Sequence, residues 1–493
     1  MLRKLFQHTR NYSLSSLAIL AASLVSYPIL TRLLAVEEYG LLSLISIVVG
    51  LVVAIAKAGL QNSIVRFYAQ ARKGTATWNL SDFYTTVFLG IGLLATLSTS
   101  LWAITVYMVP ESWWENDILR SLFLLTSVLI LVRVMDSAFS GLLRAMERSG
   151  VLSLFHIARR YLSLLAVVAT LFYISRSLFG FYTATILAEF TMLVMMGLFV
   201  IRRVSFRGGH FSMPLFKAML AFGLPLVGHE LAWTLFNLGD RLLIQFYLGP
   251  EQLGVYSAAY NLCDYLRLAI VASLWQAMPP MYTRVWEEKG EHAAVDFISR
   301  SYHFYILLAF PVIAGMIAIG PEVLTLLASE RYSEGGIIIP YVVSGMILNG
   351  MTIFFGAGFF IARKTRRFMY ITFGAATINI ALNLFLIPEY GIIGAAIATL
   401  ASFSFFMVTA GILAHRLLPV PTPVPVVLKG LFLSLLMYLL LTLPPWPPGA
   451  PWLVAKIALG ALFYLIVVYA TDSQVKVVTR KIVLRSRPAD TGG

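Results

Sequence analysis

Apolar runs of about 20 residues, the length a helix needs to cross a bilayer, recur from end to end of this sequence with short loops between them. Nothing else in the chain restricts its fold so tightly. The hydrocarbon core offers no water to backbone N–H and C=O groups, so each spanning segment must satisfy them internally, as an α-helix does. Fourteen runs can be placed. They lie at 13–34, 41–60, 84–109, 118–143, 151–174 and 178–200, then at 216–243, 253–278, 301–327, 337–361, 368–388 and 391–414, with a final pair at 426–443 and 452–470. The expected fold is an all-α integral membrane protein. Its 59% hydrophobic and 12% charged residues agree, against about 25% charged in a soluble domain.

The first twelve runs read as two copies of six. Val36-Glu37-Glu38-Tyr39-Gly40-Leu41-Leu42-Ser43 aligns with Pro250-Glu251-Gln252-Leu253-Gly254-Val255-Tyr256-Ser257 at an offset of 214 residues. At the same offset Asp82-Phe83 falls on Asp296-Phe297, and Leu178-Phe179-Gly180 through Ala184-Thr185 falls on Ile392-Ile393-Gly394 through Ala398-Thr399. Arg32-Leu33-Leu34 also matches Arg241-Leu242-Leu243. So long a period points to duplicated multi-helix bundles, since solenoid repeats run about 20–50 residues. An even number of spans per copy inserts both copies in the same orientation, the parallel-repeat plan of transporters. The expected organisation is an N-terminal six-helix bundle over 1–212 and a C-terminal six-helix bundle over 213–418 around a central cavity. Two extra transmembrane helices and a basic cytoplasmic tail fill 419–493. Substrate is expected in the cleft between the halves, lined by the first two helices of each, with rocking of the halves alternating its access.

Orientation follows from the loops. With the N-terminus in the cytoplasm, the inner side receives most of the 37 Lys and Arg residues, among them Arg144, Arg148, Arg159, Arg160, Arg202, Arg203, Arg363, Lys364, Arg366, Arg367, Lys476 and Arg480, as the positive-inside rule requires. Both termini are then cytoplasmic. The basic start (Arg3, Lys4, Arg10) before an apolar run resembles a signal peptide, but the run extends to Leu34 and its counterpart in the second half is internal, so the first helix is expected to stay. The formal charge of +14 is dispersed between apolar runs and forms no basic stripe with interleaved aromatics, which argues against nucleic acid. One cysteine, Cys263, excludes an intramolecular disulfide and a Cys-rich metal cluster. No Walker A or H-E-x-x-H pattern occurs, and no loop is long enough for a catalytic domain. Function is expected inside the bundle, with no enzymatic activity and no cofactor.

Seven ionisable residues fall in the expected spans: Lys57, Arg133, Asp136, Glu189, Glu230, Asp264 and Arg267. Each would cost about 2.5–3.5 kcal/mol facing lipid at mid-depth, so they must face each other or a water-filled cavity. Asp264 and Arg267, at i and i+3, share a helical face near mid-membrane. Arg133 and Asp136 repeat that spacing nearer the cytoplasm. Lys57 sits near the inner boundary, where it could line the cavity or snorkel. Glu230, beside His229 in a segment loosened by Gly223, Pro225 and Gly228, has the setting of a proton-coupling carboxylate, and Glu189 has no partner nearby in sequence. Arg32 and Arg241 occupy matching outer ends of the first and seventh spans, at the mouth. For each of these residues a purely structural ion pair, hydrogen bond or interfacial contact is the alternative. Pro28 and Pro225 are expected to interrupt the first helix of each half. Asn379 and Asn383, at i and i+4, are expected to join helices.

Thr31-Arg32-Leu33-Leu34 through Glu37-Glu38-Tyr39-Gly40-Leu41, with Gly59-Leu60 and Arg66-Phe67, resembles the opening of the polysaccharide-biosynthesis flippases. These are the Wzx-like branch of the multidrug/oligosaccharidyl-lipid/polysaccharide (MOP) exporter superfamily. Ala362-Arg363-Lys364-Thr365, Asn379, Asn383, Leu386-Ile387-Pro388, Tyr390-Gly391 and Gly394-Ala395-Ala396-Ile397-Ala398-Thr399 look like its C-terminal half. The resemblance implies a flippase that moves an undecaprenyl-diphosphate-linked oligosaccharide from the inner to the outer leaflet of a bacterial or archaeal cytoplasmic membrane by alternating access. Arg267, Arg133, Lys57, Arg32 and Arg241 would then bind the anionic substrate. Glu230, Asp264, Asp136 and Glu189 would couple to H+ or Na+. Implied partners are membrane lipids and polysaccharide polymerase or export machinery, with the flippase itself a monomer. Fourteen spans also bring lipid II flippases into view, with the extra hairpin forming a groove for the lipid tail. A multidrug or cation antiporter of the same superfamily is a further alternative, against which three basic residues among four acids weigh.

Overall fold

The computed structural model describes residues 2–74, 78–114, 117–204, 209–421 and 423–486; the end of the basic tail and the loop centres near 76, 115, 206 and 422 lie outside the described residues. The chain builds α1 (Leu2–Leu33), α2 (Val36–Ala56), α3 (Leu60–Lys73), α4 (Leu80–Met108), α5 (Asp117–Ala145), α6 (Ser149–Tyr173) and α7 (Leu178–Ile201). It continues through α8 (Met213–Arg267), α9 (Ser273–Ala328), α10 (Ile339–Gly350), α11 (Thr352–Ile361) and α12 (Thr365–His415), and ends in α13 (Val424–Thr442), α14 (Ala450–Thr471) and α15 (Ser473–Ser486). No strand occurs among the described residues.

Among the described residues, twelve helical segments are long and apolar enough to cross a membrane. Some hold more than one crossing. The 55 residues of α8, 56 of α9 and 51 of α12 would each extend about 80 Å if straight, far beyond a hydrocarbon core of about 30 Å. Each reverses at a glycine of positive φ: Gly249 (80°), Gly290 (80°) and Gly391 (60°). Hydrogen bonds across the reversals register the arms: the Tyr260 hydroxyl donates to the Asn237 carbonyl at 3.0 Å, and Asn379 Nδ2 donates to Ser402 Oγ at 3.0 Å. Across Gly290, Val271 and Tyr305 both pack against Gly350. The segments Met213–Val271 and Ala277–Ala328 therefore hold crossings seven to nine, and Thr365–His415 holds eleven and twelve. That brings the total to the expected fourteen.

The duplicated motifs meet. A Cβ on Gly40 would fall on the carbonyl oxygen of Pro250, and a Cβ on Gly254 would fall on that of Val36. Only glycine lets the two backbones approach this closely. Ser257 Oγ bonds Ser43 Oγ at 2.9 Å, so residues equivalent under the repeat touch one another. Farther along, α2 stops at Lys57, the chain turns through Ala58 and Gly59 with φ of 48° and 68°, and α3 resumes the crossing. Gly59 packs backbone to backbone on Gly223 of α8, and Ser63 Oγ donates to the Met219 carbonyl at 2.7 Å. By contrast the chain stays helical through Pro28 and Pro225: the expected interruption of the first helix in each half is absent, and the break lies in the second crossing.

The extra hairpin, α13 with α14, packs on α9. The end of the hairpin beside α15 is fastened by Asp472, which accepts from Lys429 Nζ at 2.9 Å, faces His303 Nε2 at 3.2 Å and caps α15 through the amides of Gln474 and Val475. Burial pushes the Asp472 carboxyl up, but the Lys429 and Val475 hydrogen bonds and the nearby His303 and Lys429 charges outweigh it and hold the group below the usual carboxylate range.

Candidate functional site

The eighth crossing, between Gly249 and Gly290, carries two surfaces of opposite character. Residues three and four apart share a helical face, and from Tyr260 to Ala269 the side chains sort accordingly. Tyr260, Asn261, Asp264 and Arg267 line a polar cavity of about 350 Å3 together with Trp233, Thr234, Asn237, Leu238 and Arg241 of the seventh crossing. Leu262, Tyr265, Leu266 and Ala269 instead line an apolar groove of about 630 Å3. The groove is walled by Leu20 and Leu24 of α1, by α9 from Leu308 to Leu327, and by Met437, Leu441 and Tyr464 of the extra hairpin. Among its lining residues Lys456 alone is charged, and Glu322 Oε1 holds its Nζ at 2.5 Å. Directly after Arg267 the helix loosens into a π-type turn at Leu268–Ala272, an irregularity frequent at functional sites.

In the polar cavity Arg267 Nε donates to Asp264 Oδ1 at 2.6 Å. Arg241 is only 5% exposed; its guanidinium donates to Asn261 Oδ1 at 3.2 Å and lies 4.4 Å from the centroid of the Tyr260 ring. Asn261 Nδ2 in turn donates to the Tyr39 hydroxyl of α2 at 3.0 Å. Behind this layer Asp240 is buried. Its carboxylate accepts from the Tyr256 hydroxyl and the Arg241 amide and lies beside Thr399.

A second cluster joins α2 to α8. Lys57 Nζ contacts Glu230 Oε1 at 2.5 Å, and Gln61 Nε2 donates to the other carboxylate oxygen at 3.2 Å. The Gly59–Gly223 approach described above brings these helices close enough for that pair. A third cluster lies within the first six crossings. Arg133 makes a two-pronged contact to Glu189 at 3.0 and 2.9 Å, and Asp136 meets Arg159 at 2.5 Å.

The nine residues expected to bind substrate or couple ions are therefore divided. Arg241, Asp264 and Arg267 share one cavity, and Lys57 and Glu230 pair with each other. Arg133, Asp136 and Glu189 stand elsewhere, and one detail of their expected arrangement is overturned: Arg133 and Asp136 do not pair along α5, because each finds a closer partner on a neighbouring helix. Glu189, with no partner nearby in sequence, meets Arg133 because α7 packs on α5. Arg32 and Arg241 are likewise not equivalent: Arg32 is exposed and donates to the Leu326 carbonyl at 2.6 Å, whereas Arg241 is interior because the seventh crossing continues to Gly249. Lys57 ends α2, within the apolar helical segment Val36–Lys73.

The interior placement of Asp240, Asn261, Arg159 and Arg160 was not legible from the sequence. The Gly249-Pro250 pair was the available signal for the first two, since a reversal there carries Asp240 about 14 Å into the seventh crossing. Arg159 and Arg160 read as inner-loop cations, yet they lie 10 and 11 residues along α6 from Ser149, about 15 Å from its start.

Residues 8–286 match the family described as polysaccharide biosynthesis protein, and residues 225–385 match the MatE family. A Haloferax volcanii protein named as a low-salt glycan biosynthesis flippase is 23% identical over 166 residues, covering 34% of this chain and 35% of that protein, so the match spans about a third of the relative's length. A Shigella flexneri protein named as an O-antigen transporter is 22% identical over 385 residues, covering 75% of this chain and 88% of that protein. Among solved structures, a lipid II flippase in an inward closed conformation superposes with a TM-score of 0.75 at 14% identity, over 97% of this chain and 100% of that one. This last likeness is one of fold.

Proposed function

From the premise that this chain belongs to the polysaccharide biosynthesis protein family, whose match spans more than half of it, we propose that it is a flippase for a lipid-linked oligosaccharide. The observation that carries this reading is the eighth crossing, which turns a polar cavity to one side and an apolar groove to the other. Such a wall suits a molecule with a hydrated head and a long hydrocarbon tail. Tail burial contributes about 0.8 kcal/mol per CH2, while the head keeps hydrogen-bonding partners in Arg241, Asn261 and Arg267. A hydrophobic cation fits less well, because Arg241 and Arg267 would repel it.

In the finer reading, the substrate is an undecaprenyl-diphosphate oligosaccharide that passes from the inner to the outer leaflet of a cytoplasmic membrane, with both termini of the protein inside. A peptidoglycan precursor shares that anchor and is the nearest alternative. The six-helix units over 1–212 and 213–418 rock against each other as a monomer, and the Lys57–Glu230 pair, which joins them, breaks and re-forms. H+ or Na+ drives the cycle. Among the carboxylates, Asp240 suits coupling best: it is buried and bonded to a hydroxyl and an amide, whereas Glu230, Asp264, Asp136 and Glu189 are each held by a cation.

The test is transbilayer movement of a short-chain undecaprenyl-diphosphate oligosaccharide in proteoliposomes, with and without an imposed H+ or Na+ gradient. Wild-type protein should flip it in a gradient-dependent manner, Arg267→Ala should lower the rate at least about tenfold, and Asp240→Asn should abolish the gradient dependence. Exchange of a hydrophobic cation without lipid movement would replace this reading with an antiporter.

A further inference from the structure

Arg160 and Arg241 stand apart from the other interior cations: among the described residues neither makes an ion pair with a carboxylate at contact distance, and each keeps a buried Nε without a hydrogen-bond partner. Lys57, Arg133, Arg159, Arg267 and Lys456 each meet a carboxylate at 2.9 Å or less. Arg160, although adjacent to Arg159, has no carboxylate partner among the described residues. Its Nη2 donates to Ser23 Oγ and Ser26 Oγ of α1, both at 3.0 Å, and its Nε is buried with no hydrogen-bond partner. Both serine hydroxyls spend their own protons on α1 carbonyls, so each presents only lone pairs to the guanidinium. A cation held at membrane depth by two neutral hydroxyls, with a donor left over, is incompletely satisfied.

We infer that Arg160 is the phosphate anchor of the lipid substrate, and that Ser23 and Ser26 hold its place when no substrate is bound. This rests on the flippase reading and names the residue that meets the diphosphate. Among the charges suggested by sequence, Arg133, Lys57 and Arg267 are worse candidates, because a phosphate reaching them must first displace a carboxylate, and Arg241 lines the polar cavity on the side of the eighth crossing away from the groove. At Arg160 it displaces hydroxyls and also engages the idle Nε–H, giving the two-pronged contact that guanidinium makes with phosphate.

The surroundings fit the same ligand. Helix α1 presents Leu20 and Leu24 to the apolar groove and Ser23 and Ser26 to Arg160. Tyr265 lines the groove and lies within electrostatic range of Arg160. A polyprenyl chain in the groove would therefore bring its charged end past Tyr265 to Arg160. A small pocket of about 40 Å3 opens beside Arg160, lined by Ser26, Ile29 and Leu30 of α1 and by Phe181 of α7. Binding must part α1 from α6 at the serines, so substrate entry is tied to movement of the first helix.

The probes are farnesyl diphosphate and its uncharged counterpart farnesol, with affinities read on the purified full chain in detergent. Wild type should prefer the diphosphate. Arg160→Gln should weaken diphosphate binding at least about tenfold with farnesol unchanged, and Arg160→Lys should recover part of the loss. If Arg160→Gln does not fold, protection of Arg160 from phenylglyoxal in the wild-type protein, read by peptide mass spectrometry, takes its place. Farnesyl diphosphate should protect and farnesol should not. Unchanged affinity in the Gln variant, or equal protection by both probes, overturns the assignment and leaves the flippase reading standing. No preference for diphosphate in the wild type overturns both.

Discussion

The second crossing and its counterpart in the repeat, the eighth, both leave regular α-helical geometry at the same register, by different means. At an offset of 214 residues, the turn at Lys57–Gly59 corresponds to 271–273, and the π-type turn of the eighth crossing covers Leu268–Ala272. In the second crossing the ladder is cut, and the freed Lys57 reaches Glu230 on another helix. In the eighth the helix stays continuous, and Asp264 and Arg267 satisfy each other along it. One irregularity thus makes a bond between helices and the other makes a bond within one. Relative movement of α2 and α8 strains the first and leaves the second untouched, so the two charge pairs should differ in what they contribute.

The largest effect is expected where the cut itself is denied. Gly59→Val forces a β-branched side chain to a φ of 68° and onto the Gly223 carbonyl, which should lower stability by about 3 kcal/mol or more, seen as a fall in thermal unfolding temperature in detergent. Gly50→Ala in the same crossing has open space around it and should stay within about 1 kcal/mol of wild type, on the stabilising side. Equal behaviour of the two would mean that the turn is incidental.

Next comes the bond between helices. Lys57→Gln or Glu230→Gln alone strands a partly buried charge and should cost about 2 kcal/mol, less than a fully buried pair loses because the side chains are 17% and 33% exposed. The double variant should recover much of this, and a coupling energy near zero would show that the pair does not join the helices. The smallest effect belongs to Asp264→Asn and Arg267→Gln, an i,i+3 pair at 28–29% exposure. Its coupling should stay below about 1 kcal/mol, while transport suffers more than stability. A larger coupling there than at Lys57–Glu230 would reverse the comparison.

These contrasts bear on what the sequence could disclose. Hydropathy alone gave the long apolar helices, because they depend on residue type along the chain. The Asp264–Arg267 pair was legible for the same reason: both members lie on one helix. Pairs between helices were not, since nothing at Arg133 announces that α7 will bring Glu189 against it, and its local neighbour Asp136 is a misleading choice. Proline was equally misleading. Pro28 and Pro225 are absorbed within helices, while the real break needed the positive φ that Gly59 tolerates. Arg160 was hidden by adjacency, because two consecutive arginines on a helix point about 100° apart, and only packing decides that one finds an acid and the other two serines.

The meeting of Gly40 with Pro250 and of Gly254 with Val36 has the form of an isologous interface, in which residue i touches j and j touches i, with Ser43 and Ser257 at the centre. Two-fold homodimers make such contacts. Here both sides of that contact belong to one chain, so neither motif has to serve both sides of such a symmetry. Lys57 is answered in the other copy by Val271, so a charge that a homodimer would have had to present twice is presented here once.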